Sequence, residues 1–266
     1  MLSGLPSVTA DFAQSVTIEG DNYLLPQQTT RYLLKQYEAA SKGKPVPPNV
    51  NYLANIGGSG ETFAPLDAAA VRSPSALIHA YQHRALALVH HTAMAIGADV
   101  AAGHTSDAAW NNALVEVTRT SNAHCLLIVV GNFYKAIEAI KANTTTNNNN
   151  GTQSLVPVLE RLAALFALYH IEQGLAEFLE DGYMNQAQAQ LVRKEVRVLL
   201  TELRPDMVPL VDAFGLSDFQ LNSAIGGYDG HVYETLYEWA QRSPLNKKKV
   251  VSGYEEYLKP IIHSKL

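Results

Sequence analysis

The chain has 266 residues, is 47% hydrophobic and 17% charged, and carries a formal net charge of -5. That apolar content sustains a packed core and excludes an intrinsically disordered chain, while the acidic balance leaves no basic footprint for nucleic acid. A single cysteine, Cys125, rules out an internal disulfide framework and fits a reducing interior.

Taken from the N-terminus, the sequence shows no charged segment followed by an apolar run, so no secretory leader is expected. No stretch approaches the roughly eighteen continuous apolar residues of a membrane span. The first helix is expected over about 21–40, with Gly43 and then Pro45, Pro47 and Pro48 as its stop and linker. Leu77, Tyr81, Ala85 and Leu88 form the next helical stripe, opened by Ser73 as cap and Pro74 in the first turn. Residues 105–141 read as one long helix, apolar nearly all round from Ala123 to Val130 and therefore buried there. The run 144–152, with four consecutive asparagines, reads as a low-complexity loop.

Beyond that loop, Leu155, Leu159, Leu162, Phe166 and Tyr169 advance by four and three. Val192, Val196, Leu199 and Leu203 repeat the pattern until Pro205 ends it. Shorter helices are expected over 229–242 and 253–263. Alternating strand patterns of useful length are absent, so the expected fold is all-α, an antiparallel packing of long helices around a shared core.

Few side chains suggest chemistry by themselves. His79 and His83 stand four apart with His90 seven further on, a spacing that can bind zinc, but no His-Glu-x-x-His pattern accompanies them and a polar helix face is the expected reading. Gly57-Gly58-Ser59-Gly60 lacks the lysine of a phosphate loop and reads as a flexible turn. Cys125, next to His124 in an apolar helix, is expected in the core, and Tyr228, Tyr233, Tyr237 and Trp239 are expected to pack. Lys247-Lys248-Lys249 is expected to be a solvated turn. The chain ends in Ser264-Lys265-Leu266, the tripeptide read by the peroxisomal import receptor, which is an address and not an anchor. The expected location is the peroxisomal matrix.

An ordered set of motifs in the C-terminal third goes further. Glu202-Leu203-Arg204-Pro205, Leu210-Val211-Asp212-Ala213-Phe214 and Gly227-Tyr228-Asp229-Gly230-His231-Val232-Tyr233-Glu234 are followed by Tyr237-Glu238-Trp239-Ala240 and Ser243-Pro244-Leu245-Asn246. Together they closely resemble the C-terminal part of peroxisomal acyl-CoA oxidases, which also commonly end in Ser-Lys-Leu, and the resemblance runs from about Ser3 to Leu266. His231 departs from the asparagine usual at that place. Near the N-terminus, Thr17-Ile18-Glu19-Gly20-Asp21-Asn22 resembles the family's aromatic-Glu-Gly-acidic-Asn motif, with Ile18 in place of the aromatic residue.

The resemblance implies Glu19 as the catalytic base, with Gly20, Asp21 and Asn22 at the FAD site, no metal, a fatty acyl-CoA substrate, and a homodimer in the full-length family. Without it, Glu19-Gly20-Asp21-Asn22 is a helix entrance capped by Asp21 or Asn22. It further implies an architecture in which 1–42 is the end of the first helical domain, carrying the Glu-Gly motif, and 43–73 is a linker. Residues 74–266 are then the C-terminal helical domain, with an asparagine-rich loop at 143–153 and the targeting signal at 264–266. The family's front half, with most flavin contacts, has no counterpart here. One reading is therefore the C-terminal portion of a flavin-dependent acyl-CoA oxidase. Such enzymes oxidise fatty acyl-CoA to trans-2-enoyl-CoA with hydrogen peroxide formation in peroxisomal β-oxidation, and this chain alone is expected to be inactive. The other is a truncated, non-catalytic helical peroxisomal protein that pairs with a full-length oxidase.

Overall fold

The computed structural model describes residues 3–16, 18, 20–56, 62–147 and 154–264, with backbone only for 144–147. Glu19, the glycine-rich turn at 57–60, residues 148–153, Lys265 and Leu266 lie outside the described residues. In chain order the helices are α1 (Leu5–Ala13), α2 (Leu24–Ser41), α3 (Ala68–Val71), α4 (Pro74–Ala101), α5 (Ser106–Asn112) and α6 (Leu114–Asn147). After them come α7 (Val156–Gln173), α8 (Leu175–Glu180), α9 (Gln186–Leu203), α10 (Met207–Asp212), α11 (Asp218–Leu221), α12 (Val232–Arg242) and α13 (Lys259–His263). Among the described residues there is no β-strand, only an isolated bridge between Ile18 and Gly20. The fold is all-α, as the periodicity predicts. Two compact units make up the chain, Asp21–Pro209 and Met1–Gly20 with Leu210–Leu266.

The larger unit is held by one apolar core. α4 packs most extensively on α6, and α7 on α9, with α2 laid along α6. Leu77, Tyr81, Ala85 and Val89 on α4 are essentially without exposure, as are Val192 and Leu199 on α9, each large apolar side chain contributing about 1.5–3 kcal/mol. Between Gly43 and Ser73, Val50, Tyr52, Leu53, Phe63 and Val71 are also buried in that core. Polar side chains inside it are matched across helices. The Thr30 hydroxyl donates to the Val117 carbonyl at 2.6 Å, Tyr81 Oη donates to the Ala167 carbonyl at 2.8 Å, and Thr92 pairs with Thr120 at 2.8 Å. Such bonds fix which helix faces which, because an unmade one leaves a desolvated group behind.

Several local expectations need correcting. The expected helix over 105–141 is broken at Ala113, whose ψ of 15° leaves the helical range. Neither glycine nor proline marks the break. From there α6 runs on as far as Asn147, beyond the expected start of the loop. The stretch from Ala123 to Val130 is buried on one face only. Ala123, His124, Leu127 and Val130 point inward while Val129 is 48% exposed, and Cys125 is exposed instead of sitting in the core. Apolar composition all round had hidden the ordinary helical period. On α7 the buried face is Val156, Ala163, Ala164, Ala167, Leu168 and Ile171, while Leu155 and Tyr169 are exposed. The alanines are too small to stand out as a stripe. Ser73 does occupy the cap position of α4, but its hydroxyl pairs with that of Ser75 at 2.9 Å and caps no backbone amide. Leu114–Asn143 has a mean hydropathy of 1.4, apolar and long enough to pass for a membrane crossing by composition alone. It packs here against α2, α4 and α7.

His124 lies buried with Nδ1 3.0 Å from Tyr52 Oη. Burial lowers its pKa from the ordinary 6.5, so the folded protein holds it neutral where the unfolded chain takes up a proton. This contribution to stability is intact above pH 6.5 and is lost as pH falls through the depressed folded value. Urea midpoints measured from pH 7.5 downward should fall in the parent and fall less in His124→Gln. Parallel slopes would exclude His124 as the source.

The smaller unit is joined from both ends of the chain. Gly4 has φ 82°, a left-handed conformation that favours glycine, and a Cβ there would stand 2.8 Å from Ser223 Cβ. The Ser223 hydroxyl donates to the Ser3 carbonyl beside it. Within this unit only Gly4 and Ala224 are buried among the described residues. Tyr228, Tyr233 and Tyr237, expected to pack, are 82%, 84% and 66% exposed. α12 is amphipathic, but nothing described here covers its aromatic face.

Candidate functional site

Of the candidate motif, Thr17 to Gly20 belong to the smaller unit and Asp21 and Asn22 to the larger. Ile18 and Gly20 close the first segment of the smaller unit. Ile18 is 72% exposed, and its N–H donates to the Gln14 carbonyl at 3.0 Å. Gly20 has φ 107°, a backbone conformation that a side chain would strain, so the turn there is built around glycine. Glu19 and Thr17 fall outside the described residues.

On the other side, the larger unit opens with the entrance to α2. Asp21 Oδ1 accepts from the backbone N–H groups of Tyr23 and Leu24, both at 2.8 Å, and the Leu25 N–H donates to the Asp21 carbonyl at 3.1 Å. The cap therefore falls to Asp21, not Asn22, whose side chain is exposed. One consequence is electrostatic. The free N–H groups and positive dipole end of a helix favour an anion, and here the anion is the protein's own carboxylate. Beside this first turn, Tyr23, Gln27, Leu114, Val115, Thr118, Arg119 and Asn122 line a groove of about 320 Å³. Its walls are mostly apolar, and Arg119 is 60% exposed. Such a surface can lie against a flat apolar group or an alkyl chain, with a cation near its edge.

Other candidate residues are separated by the fold. His79 Nδ1 pairs with Tyr183 Oη at 2.8 Å, His83 Nε2 with Asp181 Oδ2 at 2.6 Å, and His90 Nδ1 with Tyr37 Oη at 2.7 Å. The three rings thus serve three different partners, and among the described residues no cluster of three or more metal-ligating side chains forms. His231 is exposed, and its N–H donates to Asp229 Oδ1 at 2.9 Å at the start of α12. Ser264 is exposed with its hydroxyl donating to the Ile261 carbonyl at 2.8 Å. Lys265 and Leu266 lie beyond the described residues.

Sequence reading missed a charged contact that reaches into the interior. Glu195 is 2% exposed and receives Arg72 Nε at 2.8 Å and Nη2 at 2.7 Å, while Arg72 Nη1 also reaches Glu202 at 3.0 Å. Burial opposes the charge on Arg72, but the hydrogen bonds to Glu202 and Glu195 outweigh it and hold its pKa above the ordinary value. A signal was present, because Glu195 interrupts the apolar stripe from Val192 to Leu203. This cluster is a clamp between α3 and α9, not a reactive group.

Known proteins resemble this chain along its whole length. A family profile described as acyl-CoA oxidase matches residues 73–263, and one described as the acyl-CoA oxidase C-alpha1 domain matches residues 1–34. The peroxisomal acyl-coenzyme A oxidase 1 of Phascolarctos cinereus is 37% identical over 265 residues, covering 97% of this chain and 38% of its own. Among solved structures, Arabidopsis thaliana acyl-CoA oxidase 1 superposes with a TM-score of 0.84 at 31% identity, over 100% of this chain and 38% of that one. Acyl-CoA oxidase-1 of Caenorhabditis elegans, solved in complex with FAD and ATP, gives 0.80 at 31% identity over 94% and 36%. The chain thus spans a little over a third of the length of the proteins it matches.

Proposed function

Because the chain belongs to the acyl-CoA oxidase family, we propose that it is the C-terminal portion of a flavin-dependent oxidase of fatty acyl-CoA. Its product is the trans-2-enoyl-CoA, with hydrogen peroxide formed from oxygen, as a step of peroxisomal fatty acid β-oxidation. The observation that carries this reading is the pair of profile matches, one over 73–263 and one over 1–34, the latter containing Glu19.

On this reading residues 1–42 end the first helical domain, 43–73 link it onward, and 74–266 form the C-terminal helical domain. FAD, when bound, supplies the hydride acceptor. Gly20 suits contact with such a group because no side chain intervenes, and Asn22 is exposed beside it in sequence. Asp21 serves by holding the turn. Glu19 removes the α-proton of the thioester, a role that needs a carboxylate whose pKa is raised by apolar surroundings. Homodimer formation is part of the same proposal.

Joined to a family front half, this chain should yield a protein that binds FAD and releases peroxide from a long-chain acyl-CoA. By itself it should do neither, since catalysis needs base and acceptor in one preorganised site. A joined protein that holds FAD yet oxidises no acyl-CoA would overturn the proposal.

Peroxisomal import is proposed from Ser264-Lys265-Leu266 and from the name of the marsupial relative. A fluorescent protein fused to the N-terminus should appear in peroxisomes and become diffuse when Leu266 is deleted. Diffuse fluorescence with Leu266 present would rule out recognition of the tripeptide.

A further inference from the structure

α1 starts against a segment from the far end of the chain, within the same unit. The Ser223 hydroxyl is used in both directions: it donates to the Ser3 carbonyl and accepts from the Gly226 N–H at 3.2 Å. At Gly4 the two backbones meet with no side chain between them. A Cβ on Gly4 would stand 2.8 Å from Ser223 Cβ and 3.1 Å from the Asn222 carbonyl oxygen, which leaves no room for one. Both sides of the contact are left-handed, Gly4 with φ 82° and Asn222 with φ 44°. A non-glycine residue held in that region costs conformational energy, and such residues gather where geometry matters to function.

From this contact the backbone runs helically to the candidate motif. The Val8 N–H donates to the Gly4 carbonyl at 3.1 Å, and the Ile18 N–H donates to the Gln14 carbonyl at 3.0 Å. Between them Gln14, with φ -64° and ψ -34°, joins α1 to the 3-10 turn Gln14–Val16 without a break. Glu19 follows Ile18. No residue of α1 or of the 3-10 turn is buried, so among the described residues this rod is fastened at its Gly4 end and not along its length. At about 1.5 Å per residue it is about 20 Å long, and a tilt of about 3° at Gly4 moves the far end by about 1 Å. A displacement of that size can cost about 10²-fold in a rate. We propose that Ser223 is a positioning residue, which through Ser3 and Gly4 sets where the Glu19 carboxylate stands. This role rests on Glu19 being the base of an acyl-CoA oxidase.

In the protein joined to a family front half, Ser223→Ala should lower the limiting rate of flavin reduction by acyl-CoA by about 10–100-fold. FAD occupancy and the acyl-CoA dissociation constant should stay at the parent's values. Gly4→Ala, which presses on Ser223 from the other side, should give the same split. Because both variants open one contact, the double variant should be no slower than the slower single one. Should Ser223→Ala fail to fold, Ser223→Cys keeps its shape, weakens the donor and must show the split. A parent-like rate in Ser223→Ala, or losses that multiply in the double variant, overturns the tether's role. So does a rate loss matched by an equal loss of FAD or substrate binding, which is damage to the fold and not misplacement of a base. A joined parent that reduces no flavin overturns the assignment of Glu19 instead, and the role of Ser223 with it.

Discussion

Replacing Glu19 with glutamine in the family-length protein should slow flavin reduction by acyl-CoA by about 10²–10⁴-fold, the cost of losing a general base. The amide matches the carboxylate in size and still hydrogen-bonds, so FAD should remain bound with its absorbance unaltered. Substrate should still bind, because proton removal, not recognition, is what the carboxylate supplies. Rapid-mixing spectroscopy under anaerobic conditions reads this step alone, before oxygen enters. Reduction as fast as the parent's would make Glu19 a helix-entrance residue and leave the base to be sought elsewhere.

Arg72→Met should be strongly destabilising, lowering stability by about 3 kcal/mol, the lower end of the cost of breaking a buried pair. The lower end applies because Arg72 is 25% exposed and water can reach part of the vacated space. Glu195, at 2% exposure, would be left without its cation. For a unit of this size the loss corresponds to a drop in melting temperature of about 6–12 °C. Combining Arg72→Met with Glu195→Met should recover much of that loss, since the stranded charge is then gone. A single-variant shift within about 1 °C of the parent would show the clamp to be energetically idle.

The all-α fold was legible because helical period survives in the sequence wherever a helix has a wet face. Val192, Val196, Leu199 and Leu203 are all buried, as their spacing predicts. Where the wet face is itself apolar the period vanishes, which is why Cys125 and Val129 were misplaced. The alanine-rich buried face of α7 was unreadable for the opposite reason, since alanine is compatible with either environment. At the candidate motif the need for glycine at Gly20 and for an oxygen cap before α2 could both be foreseen. That Asp21 and not Asn22 would provide the cap depended on which side chain turns back over the first turn. Glu195 announced a partner by standing in an apolar stripe, but that partner lies 123 residues away, and chain separation of that order leaves no local trace.

The bond from Ser223 to the Ser3 carbonyl closes a span of 220 residues, and this places a constraint on the order of assembly. Translation proceeds from the N-terminus at about 5–20 residues per second, so α1 exists for roughly ten seconds or more before its tether at Ser223 has been made. During that interval the helices of Asp21–Pro209, which form a compact unit of their own, can begin to close. Distant pairings form late because their loop-closure cost is met last. The smaller unit is thus a final assembly step, and a chain cut short before residue 223 would keep the residues of Asp21–Pro209 while Ser3 lacked its partner.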